Sequence, residues 1–489
     1  MASGFDILTV AEMAAADHAA VVGGTPGVTL MRRAGEGVAE AVAARWTPRP
    51  TTVLCGPGAN GGDGFVAAER LAAAGWPVTI AMLGEREALK GDAALVAADW
   101  IGPVGNDLVE AVGGAELVID ALFGAGLSRP PPPSAVAALR AAEASGTPIV
   151  AIDLPSGLAG DLGRPLGYAP AAALTVTFHR KKLAHVLEPG CGLCGETTVV
   201  DIGLGPTPGR LAENVPEAWL SRLPWPSRLA HKHSRGRLVV VSGGAWNTGA
   251  ARLAARAGLR VGAGLATVLS PPEALAANAA HLEAVMLKPF DTEAELEAAA
   301  ASADAAVIGP AAGVDERTVS NLFALARTGA AMIVDADALT AFRDEPQRLF
   351  SALDRDDVLT PHAGEFERVF PGLLAAGPER VAATRAAARR AGAVVLLKGP
   401  DTVIAAPDGR AAVNVNGSPW LATAGSGDVL AGFIGGLIAQ GMESFEAACA
   451  AAWIHAEAGA SFGPGLISED LPGLAPAVLR RLFEAARPV

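Results

Sequence analysis

Residues 416–436, NGSPWLATAGSGDVLAGFIGG, contain the stretch that decides the fold of the second half of the chain. Gly425 and Gly427 allow the backbone to turn tightly and to leave its N–H groups uncovered. The apolar run that begins at Val429 predicts a helix packed on a hydrophobic core. A glycine turn that leads into a helix attracts anions, because the unpaired N–H groups and the helix dipole both favour negative charge. The stretch therefore predicts an anion site at the start of a buried helix.

Asp428 is the only charged residue in this stretch. A carboxylate is a poor ligand for an anion, so we interpret Asp428 as a general base that faces a substrate hydroxyl beside the anion. The alternative is that Asp428 is the N-cap of the helix, a position that aspartate favours. A GxGD pattern on its own does not decide between the two interpretations.

Three further segments precede this stretch: VDADAL at 334–339, LTPHAGE at 359–365 and KGPD at 398–401. Together the four segments resemble the ribokinase-like superfamily. Within it they are most similar to the ADP-dependent dehydratases of hydrated nicotinamide nucleotides, the NAD(P)HX dehydratases. The resemblance implies ADP as co-substrate. It also implies Mg²⁺ bridging the ADP phosphates, although the sequence contains no dedicated set of metal ligands.

The same resemblance assigns residues to two ligands. The hydrated dinucleotide is expected to contact Ala250, Gly313, His362 and Asp428. The adenine nucleotide is expected to contact Lys398, Gly399, Pro400, Asp401, Thr402 and Gly427. Asp335 and Asp337, at the end of a predicted strand, either order a metal–phosphate network or cap the following helix.

Composition excludes several classes of function. The 489 residues carry a formal net charge of −13, and no long cluster of Lys and Arg is present, which argues against a nucleic-acid surface. No uncharged apolar run is long enough to span a bilayer, and the N-terminus lacks the pattern of a secretory signal. Four cysteines in so long a chain fit a reducing compartment. We therefore expect a cytoplasmic protein that binds neither nucleic acid nor membrane, and we expect a homo-oligomer.

The first half of the chain alternates strands and helices. Helical periodicity over residues 8–45 predicts two helices with a glycine-rich break, and a buried strand at 51–55 follows. This strand leads into a glycine loop, GPGANGGDG at 56–64, as in α/β units that hold phosphates. Two later strands end at Asp120 and Asp153, where ligands bind in open parallel sheets. Each aspartate alone could be a turn residue, but the pair facing a glycine loop favours a site.

GPGANGGDG, DALFG at 120–124 and DLPSG at 153–157 together resemble the NAD(P)HX epimerase domain over roughly residues 8–205. The resemblance implies potassium ligation by Asn60, Asp120 and Ser156, whose oxygens suit a hard cation. It implies a catalytic or substrate-contacting role for Asp153. The remaining substrate contacts that it implies are Ala59, Asn60, Gly61, Gly62, Asp63, Gly124, Ala125, Gly126, Leu127, Ser128, Arg129 and Pro130. Ala59 departs from the asparagine that is usual in this family. Lys182 aligns with a family lysine of open role, and we expect His179 and His185 at the surface.

We therefore predict two three-layer α/β/α domains: a Rossmann-like epimerase domain over residues 1–215 and a ribokinase-like dehydratase domain over residues 216–489. The predicted function is repair of NADHX and NADPHX. The first domain would equilibrate their R and S forms, and the second would dehydrate the S form at the expense of ADP. Two alternatives are a ribokinase-like small-molecule kinase and an N-terminal half that only binds nucleotide or serves as a scaffold.

Overall fold

A computed structural model describes residues 4–207, 209–374 and 380–486 of the chain. The chain divides into two compact units, Met1–Leu211 and Ala212–Val489. None of the helices in the described part is both long and apolar enough to cross a membrane.

The N-terminal unit is built on a seven-stranded parallel sheet with the strand order β4-β3-β2-β5-β6-β7-β9. A two-stranded parallel sheet, β1-β8, lies beside it. The strands are β1 Ile7–Leu8, β2 Thr51–Cys55, β3 Val78–Met82, β4 Val104–Gly105, β5 Leu117–Ala121, β6 Ile149–Ile152, β7 Leu174–Phe178, β8 Lys181–Lys182 and β9 Glu196–Val200. The helices are α1 Val10–Val22, α2 Gly27–Arg45, α3 Ala59–Ala73, α4 Gly91–Asp99, α5 Leu108–Val112, α6 Pro133–Ser145 and α7 Gly190–Cys194.

Side chains from both faces of this sheet are buried. Val53 and Cys55 of β2 pack with α2, α3 and α4, whereas Leu54 between them packs with α5 and α6 on the opposite face. Burial on both faces explains why β2 reads as a continuous buried strand rather than as an alternating one. The unit is therefore the three-layer α/β/α domain that was predicted. The glycine loop is shorter than expected, since α3 already begins at Ala59 and contains Asn60 and Asp63.

The C-terminal unit contains a ten-stranded sheet with the order β10-β19-β18-β17-β16-β15-β14-β11-β12-β13. In this order, the seven strands from β17 to β13, which include β11 and β12, are parallel to their neighbours. Strand β18 is antiparallel to both β17 and β19. The strands are β10 Leu211–Glu213, β11 Arg237–Val241, β12 Leu265–Ser270, β13 Met286–Pro289, β14 Ala305–Ile308, β15 Ala331–Val334, β16 Val358–Leu359, β17 Val394–Leu397, β18 Thr402–Ala405 and β19 Ala411–Asn414.

The helices of this unit are α8 Pro216–Trp219, α9 Gly249–Arg260, α10 Leu275–Ala279, α11 Glu293–Ala300, α12 Glu316–Ala326, α13 Ala336–Thr340, α14 Pro346–Phe350, α15 Ala363–Val369, α16 Arg380–Ala391, α17 Ser426–Ala439, α18 Ser444–Phe462 and α19 Leu471–Ala485. Helix α17 is buried along almost its whole length, as its uninterrupted apolar run predicts. It packs so closely on α9 that a Cβ atom at Gly432 would lie 2.1 Å from the carbonyl oxygen of Ala254. This close packing fixes the start of α17 beside the start of α9.

Candidate active sites

A cavity of about 710 Å³ opens in the N-terminal unit where strands β2, β5, β6 and β7 end. Residues that follow or end each of these strands form part of its wall, as expected for a ligand site in a parallel sheet. Side chains of α1 and α2, among them Met13, Leu30 and Met31, supply an apolar wall. The polar groups that line the cavity are Asp17, Asn60, Asp63, Asp92, Asp153 and Lys182.

Asp153 follows directly after β6 in a left-handed conformation, with φ 64°, which non-glycine residues seldom adopt. Its Oδ2 accepts a hydrogen bond from the N–H of Ala125 at 2.8 Å, and its Oδ1 accepts one from Thr177 at 3.0 Å. Lys182 Nζ lies 2.7 Å from the same Oδ1. Burial alone would raise the pKa of Asp153, but Lys182 and these hydrogen bonds lower it to about 2. Asp153 is therefore held ionised at the cavity wall.

Lys182, which lines the cavity, and His185, which does not, both support Asp153. Lys182 is 2% exposed, and its ammonium group also donates to Thr177 at 2.9 Å. His185 is 2% exposed, and its Nε2 lies 2.8 Å from the backbone oxygen of Asp153. The prediction of a surface position is wrong for His185, and it is wrong for His179, which is 4% exposed. Burial lowers the pKa of His185 to about 4, so its imidazole is neutral.

Asp63 and Asp17 add two more carboxyl groups to the cavity. Burial, together with the charges of Asp153 and Asp17, raises the pKa of Asp63 well above its ordinary value. Burial also raises the pKa of Asp17, and Lys182 partly opposes that rise. The cavity therefore combines Asp63, whose surroundings favour the protonated form, with Asp153, which is held ionised. Asp17 was not recognised from the sequence, because it lies in an alanine-rich helix without a motif.

Asp120 and Ser156 lie deeper than the cavity wall and are fully buried. The Ser156 hydroxyl donates to Asp120 Oδ1 at 2.6 Å and accepts from the N–H of Phe123 at 2.8 Å. Burial raises the pKa of Asp120 to about 6, and no cation pairs with it among the described residues. Asn60 is also buried, and its amide nitrogen has no hydrogen-bond partner in the described part of the chain.

The predicted substrate contacts of this unit fall into two groups. Ala59, Asn60, Asp63, Gly124, Ala125, Gly126, Leu127 and Asp153 line the cavity. Gly61, Gly62, Ser128, Arg129 and Pro130 do not belong to its lining. Gly61 packs against the backbone instead, since a Cβ atom there would lie 1.9 Å from the carbonyl oxygen of Gly56.

The start of α17 in the C-terminal unit argues against the N-cap interpretation of Asp428. Gly425 is the N-cap residue, with φ 84°, a conformation that favours glycine. Asp428 is the third residue of the helix, so it does not occupy the N-cap position. Its carboxylate accepts no hydrogen bond from the described residues and is part-exposed. The side chain is thus available to a ligand at the glycine turn.

Burial and the charges around Asp428 make it a stronger base than an ordinary aspartate. Burial raises its pKa to about 6, Asp335 and Asp337 add to the rise, and Lys398 opposes it. At neutral pH Asp428 is ionised but binds a proton more readily than an exposed carboxylate does.

Lys398 connects the predicted site residues of this unit. Its Nζ lies 2.7 Å from Asp335 Oδ1 and 3.8 Å from Glu365 Oε2. Burial would lower the pKa of Lys398, but Asp335, Glu365 and Asp428 together raise it, so the ammonium group stays charged. A Cβ atom at Gly427 would lie 3.4 Å from Nζ, which puts this charge beside the glycine turn.

His362 and Gly313 are held at the same edge of the sheet by acidic residues. His362 is the N-cap of α15, where its Nδ1 accepts from the N–H of Gly364 at 2.9 Å, and its Nε2 lies 3.3 Å from Glu365. The N–H of Gly313 donates to Asp337 Oδ2 at 2.9 Å. Asp335 makes no side-chain cap and Asp337 holds a neighbouring loop, so helix capping is not the role of either aspartate.

The turn after β17 offers mainly backbone groups. Asp401 is 4% exposed, and its carboxylate lies 3.1 Å from Arg380 Nε. The Thr402 hydroxyl donates to the carbonyl of Gly399 at 2.8 Å. Gly399 and Pro400 are exposed, whereas Ala250 is half-buried at the start of α9.

His455 supports the glycine turn through its contacts with Ser426, and it was not recognised from the sequence. It is buried in α18, and its Nε2 lies 3.0 Å from the backbone oxygen of Ser426 and 3.2 Å from its hydroxyl. Burial lowers the pKa of His455 to about 4. A single histidine in an alanine-rich helix gives no signal of this contact.

Comparison with known proteins covers both halves of the chain. Residues 238–465 match the family model described as NAD(P)H-hydrate dehydratase, and residues 27–184 match that of the YjeF-related protein N-terminus. The bifunctional NAD(P)H-hydrate repair enzyme Nnr of Methanopyrus kandleri is 36% identical over 93% of each chain. The enzyme of the same name from Moorella thermoacetica is 35% identical over 98% of this chain and 97% of its own. This chain belongs to the family of bifunctional NAD(P)H-hydrate repair enzymes.

A solved structure supports the fold of the second unit of this family member. The crystal structure of a ribokinase-like superfamily protein from Enterococcus faecalis covers 56% of this chain and 96% of its own, with a TM-score of 0.50 and 23% identity. The predicted ribokinase-like fold of the C-terminal unit is confirmed at this level.

Proposed function

We propose that this chain repairs hydrated nicotinamide dinucleotides through two activities. The N-terminal unit interconverts the R and S forms of NADHX and NADPHX. The C-terminal unit dehydrates the S form at the expense of ADP and releases AMP and phosphate. The observation that carries the proposal is the alignment of both halves with bifunctional relatives over 93% of the chain. We place the division between the activities at residue 215, close to the end of the first compact unit.

Asp428 is the proposed base of the dehydratase. It takes the proton of the C6 hydroxyl, and the oxygen attacks the terminal phosphate of ADP, so that AMP leaves. The phosphate ester then departs from C6 as phosphate, and loss of a proton from C5 restores the reduced nicotinamide ring. Backbone N–H groups at Gly425 and Gly427 and the charge of Lys398 stabilise the negative charge that develops on the transferred phosphate. The raised pKa of Asp428, about 6, supports this role.

The described residues do not build a protein site for Mg²⁺. No group of three or more His, Cys, Asp or Glu side chains in the described part could hold a metal ion, and Asp335 is already paired with Lys398. We keep Mg²⁺ as a proposed companion of the ADP phosphates. None of the steps above depends on it.

Asp63 and Asp153 are the proposed acid and anion of the epimerase. Protonated Asp63 donates to the C6 hydroxyl, which leaves as water. The ionised carboxylate of Asp153 stabilises the cation that remains on the ring. Water then adds to either face of C6 and returns a proton to Asp63, so that both epimers form. The opposite pKa shifts of the two carboxyl groups support this division of roles.

Asn60, Asp120 and Ser156 are the proposed ligands of K⁺. All three carry oxygen donors, and Asp120 is a buried carboxylate without a cationic partner among the described residues, so the set fits a hard monovalent cation. When bound, K⁺ supplies the positive charge that keeps Asp120 ionised. Asp120 and Ser156 in turn hold the backbone at Phe123, next to the predicted substrate loop.

Incubation of the protein with (6S)-NADPHX and ADP tests the dehydratase. The proposal predicts NADPH, AMP and phosphate in equal amounts. A stable phosphorylated product without NADPH would support the alternative kinase function instead. Omission of ADP is the matched control, because the C6 hydroxyl then has no phosphate donor to attack.

A further inference from the structure

A second large concave surface lies in the C-terminal unit along α9, outside the residues assigned above. It is a groove of about 890 Å³, and the described residues on its wall include the arginines Arg252, Arg256 and Arg260. We call it the α9 groove. The three arginines follow at intervals of four residues, so they lie on one face of the helix and span ~12 Å along its axis.

These arginines lack the acidic partners that other arginines of the unit have. Arg317, Arg327 and Arg348 elsewhere in the unit each form ion pairs with glutamates. Arg256 and Arg260 form neither ion pairs nor hydrogen bonds within the described residues. The one bond of Arg252 is a long one, 3.4 Å, from its Nε to the carbonyl oxygen of Thr248. In a chain with a net charge of −13, three guanidinium groups that line one groove without an ion-pair partner among the described residues indicate an anionic ligand.

The rest of the groove suits a nucleotide. Leu253, Leu259 and Leu282 provide apolar surface for a base. Glu283 and Glu469 lie on the same wall and can accept hydrogen bonds from ribose hydroxyls. Separate arginine, carboxylate and apolar groups match a ligand with several phosphates, ribose and a base better than a simple anion.

One end of the groove reaches the proposed dehydratase site. Gly249 lines the groove and precedes Ala250, a predicted substrate contact. Leu253 also lines the groove, and a Cβ atom at Gly425 would lie 3.1 Å from it. The groove therefore begins beside the glycine turn and continues along α9 away from Asp428.

We propose that the α9 groove binds the phosphoadenosine half of the hydrated dinucleotide, with Arg252, Arg256 and Arg260 as its phosphate ligands. This inference rests on the proposed dehydratase function and extends it to the end of the substrate that does not react. NADPHX carries one phosphate more than NADHX, so the arginines also favour NADPHX. ADP shares the same chemistry, and the experiment must distinguish the two sources.

Charge reversal of Arg256 and Arg260 together tests the groove, because both side chains are exposed and do not belong to the core. Dehydration of pure (6S)-NADPHX and (6S)-NADHX is measured, so that epimerisation is not needed. The control is Arg480→Glu, an exposed arginine on α19 that does not line the groove. The milder pair Arg256→Gln and Arg260→Gln tests the same point with less change in charge.

We expect the KM for (6S)-NADPHX to rise roughly tenfold in the charge-reversed variant and less in the glutamine pair. The KM for (6S)-NADHX should rise less, whereas the KM for ADP and the kcat should match those of the Arg480→Glu control. A KM for both hydrates equal to the control would overturn the inference, as would a rise confined to ADP. A change of oligomeric mass with unchanged KM would identify the groove as a protein interface and would also overturn it. Failure of the unaltered protein to dehydrate either hydrate would instead refute the proposed function.

Discussion

Replacement of Asp428 by asparagine is expected to lower dehydratase activity and at the same time to stabilise the folded protein. The carboxylate lies near Asp335 and Asp337 and shares one cation, Lys398, with Asp335 and Glu365. Its pKa rises from 3.8 to about 6, so ionised Asp428 makes the folded protein less stable above pH 6. The difference between these two values corresponds to roughly 3 kcal/mol at 1.36 kcal/mol for each pKa unit, and this is an upper estimate for a part-exposed group. The asparagine side chain carries no charge and keeps the shape of the aspartate that it replaces.

The Asp428→Asn variant should therefore unfold at a higher temperature than the unaltered protein at pH 8. The gain should shrink as the pH falls from 6 to 4, because the folded unaltered protein then carries a protonated, neutral Asp428. Dehydration should fall by about 10²–10⁴-fold, the usual contribution of a general base. Epimerisation should be unchanged.

Thermal unfolding at several pH values and initial rates of both reactions measure these effects. Asp344→Asn is the matched control, since the Asp344 side chain is 87% exposed and lies outside the site. Retained dehydration in Asp428→Asn would refute the assignment of the base. A lower unfolding temperature at pH 8 would refute the argument that burial and crowded negative charge raise the pKa of Asp428.

Three further perturbations follow from the same contacts. Lys182→Met removes the cation that lowers the pKa of Asp153, so the acidic limit of the epimerisation pH profile should move to higher pH; an unchanged profile would contradict the role of Lys182. Ser156→Ala should increase the KCl concentration needed for half-maximal epimerisation, measured against NaCl at constant ionic strength, and equal activity in both salts would argue against K⁺ at this site. Gly425→Ala should lower both the dehydratase activity and the stability of the folded protein, because the new Cβ atom would lie 3.1 Å from Leu253. Gly441 is the control, since it has a similar φ of 91° and open space around it. Gly441→Ala should cost only about 1 kcal/mol of backbone strain. Equal loss of dehydratase activity in both glycine variants would contradict a special role for the turn.

The fold was predictable because the decisive signals are local. The buried strand at 51–55 and the glycine turn at 425–427 each follow from neighbouring residues, and both agree with the structure. The start of α3 was less predictable. Glycines at 61, 62 and 64 suggested a loop, but they belong to the helix. Gly61 packs closely on the backbone of Gly56, Gly62 on α2 and α4, and Gly64 on strands β2 and β5.

The supporting residues of both sites were less predictable, because they come from distant parts of the chain. The local sequence predicted a surface position for His185, because a histidine is polar and no neighbouring residue indicated a buried partner. Its burial depends on a hydrogen bond to Asp153, 32 residues away. The contact of His455 with Ser426 spans 29 residues and has no motif. The unpaired state of Arg256 and Arg260 likewise depends on which carboxylates the fold brings near them.

Recovery of NADPH from pure (6R)-NADPHX tests most directly whether one chain performs both repair steps. With ADP present, we predict complete recovery at a rate proportional to the protein concentration, because each R molecule is converted to S and then dehydrated. The nicotinamide absorbance follows the reaction, and Asp428→Asn should leave the R and S forms in equilibrium without NADPH. Recovery no faster than the spontaneous epimerisation of the R form would contradict the account.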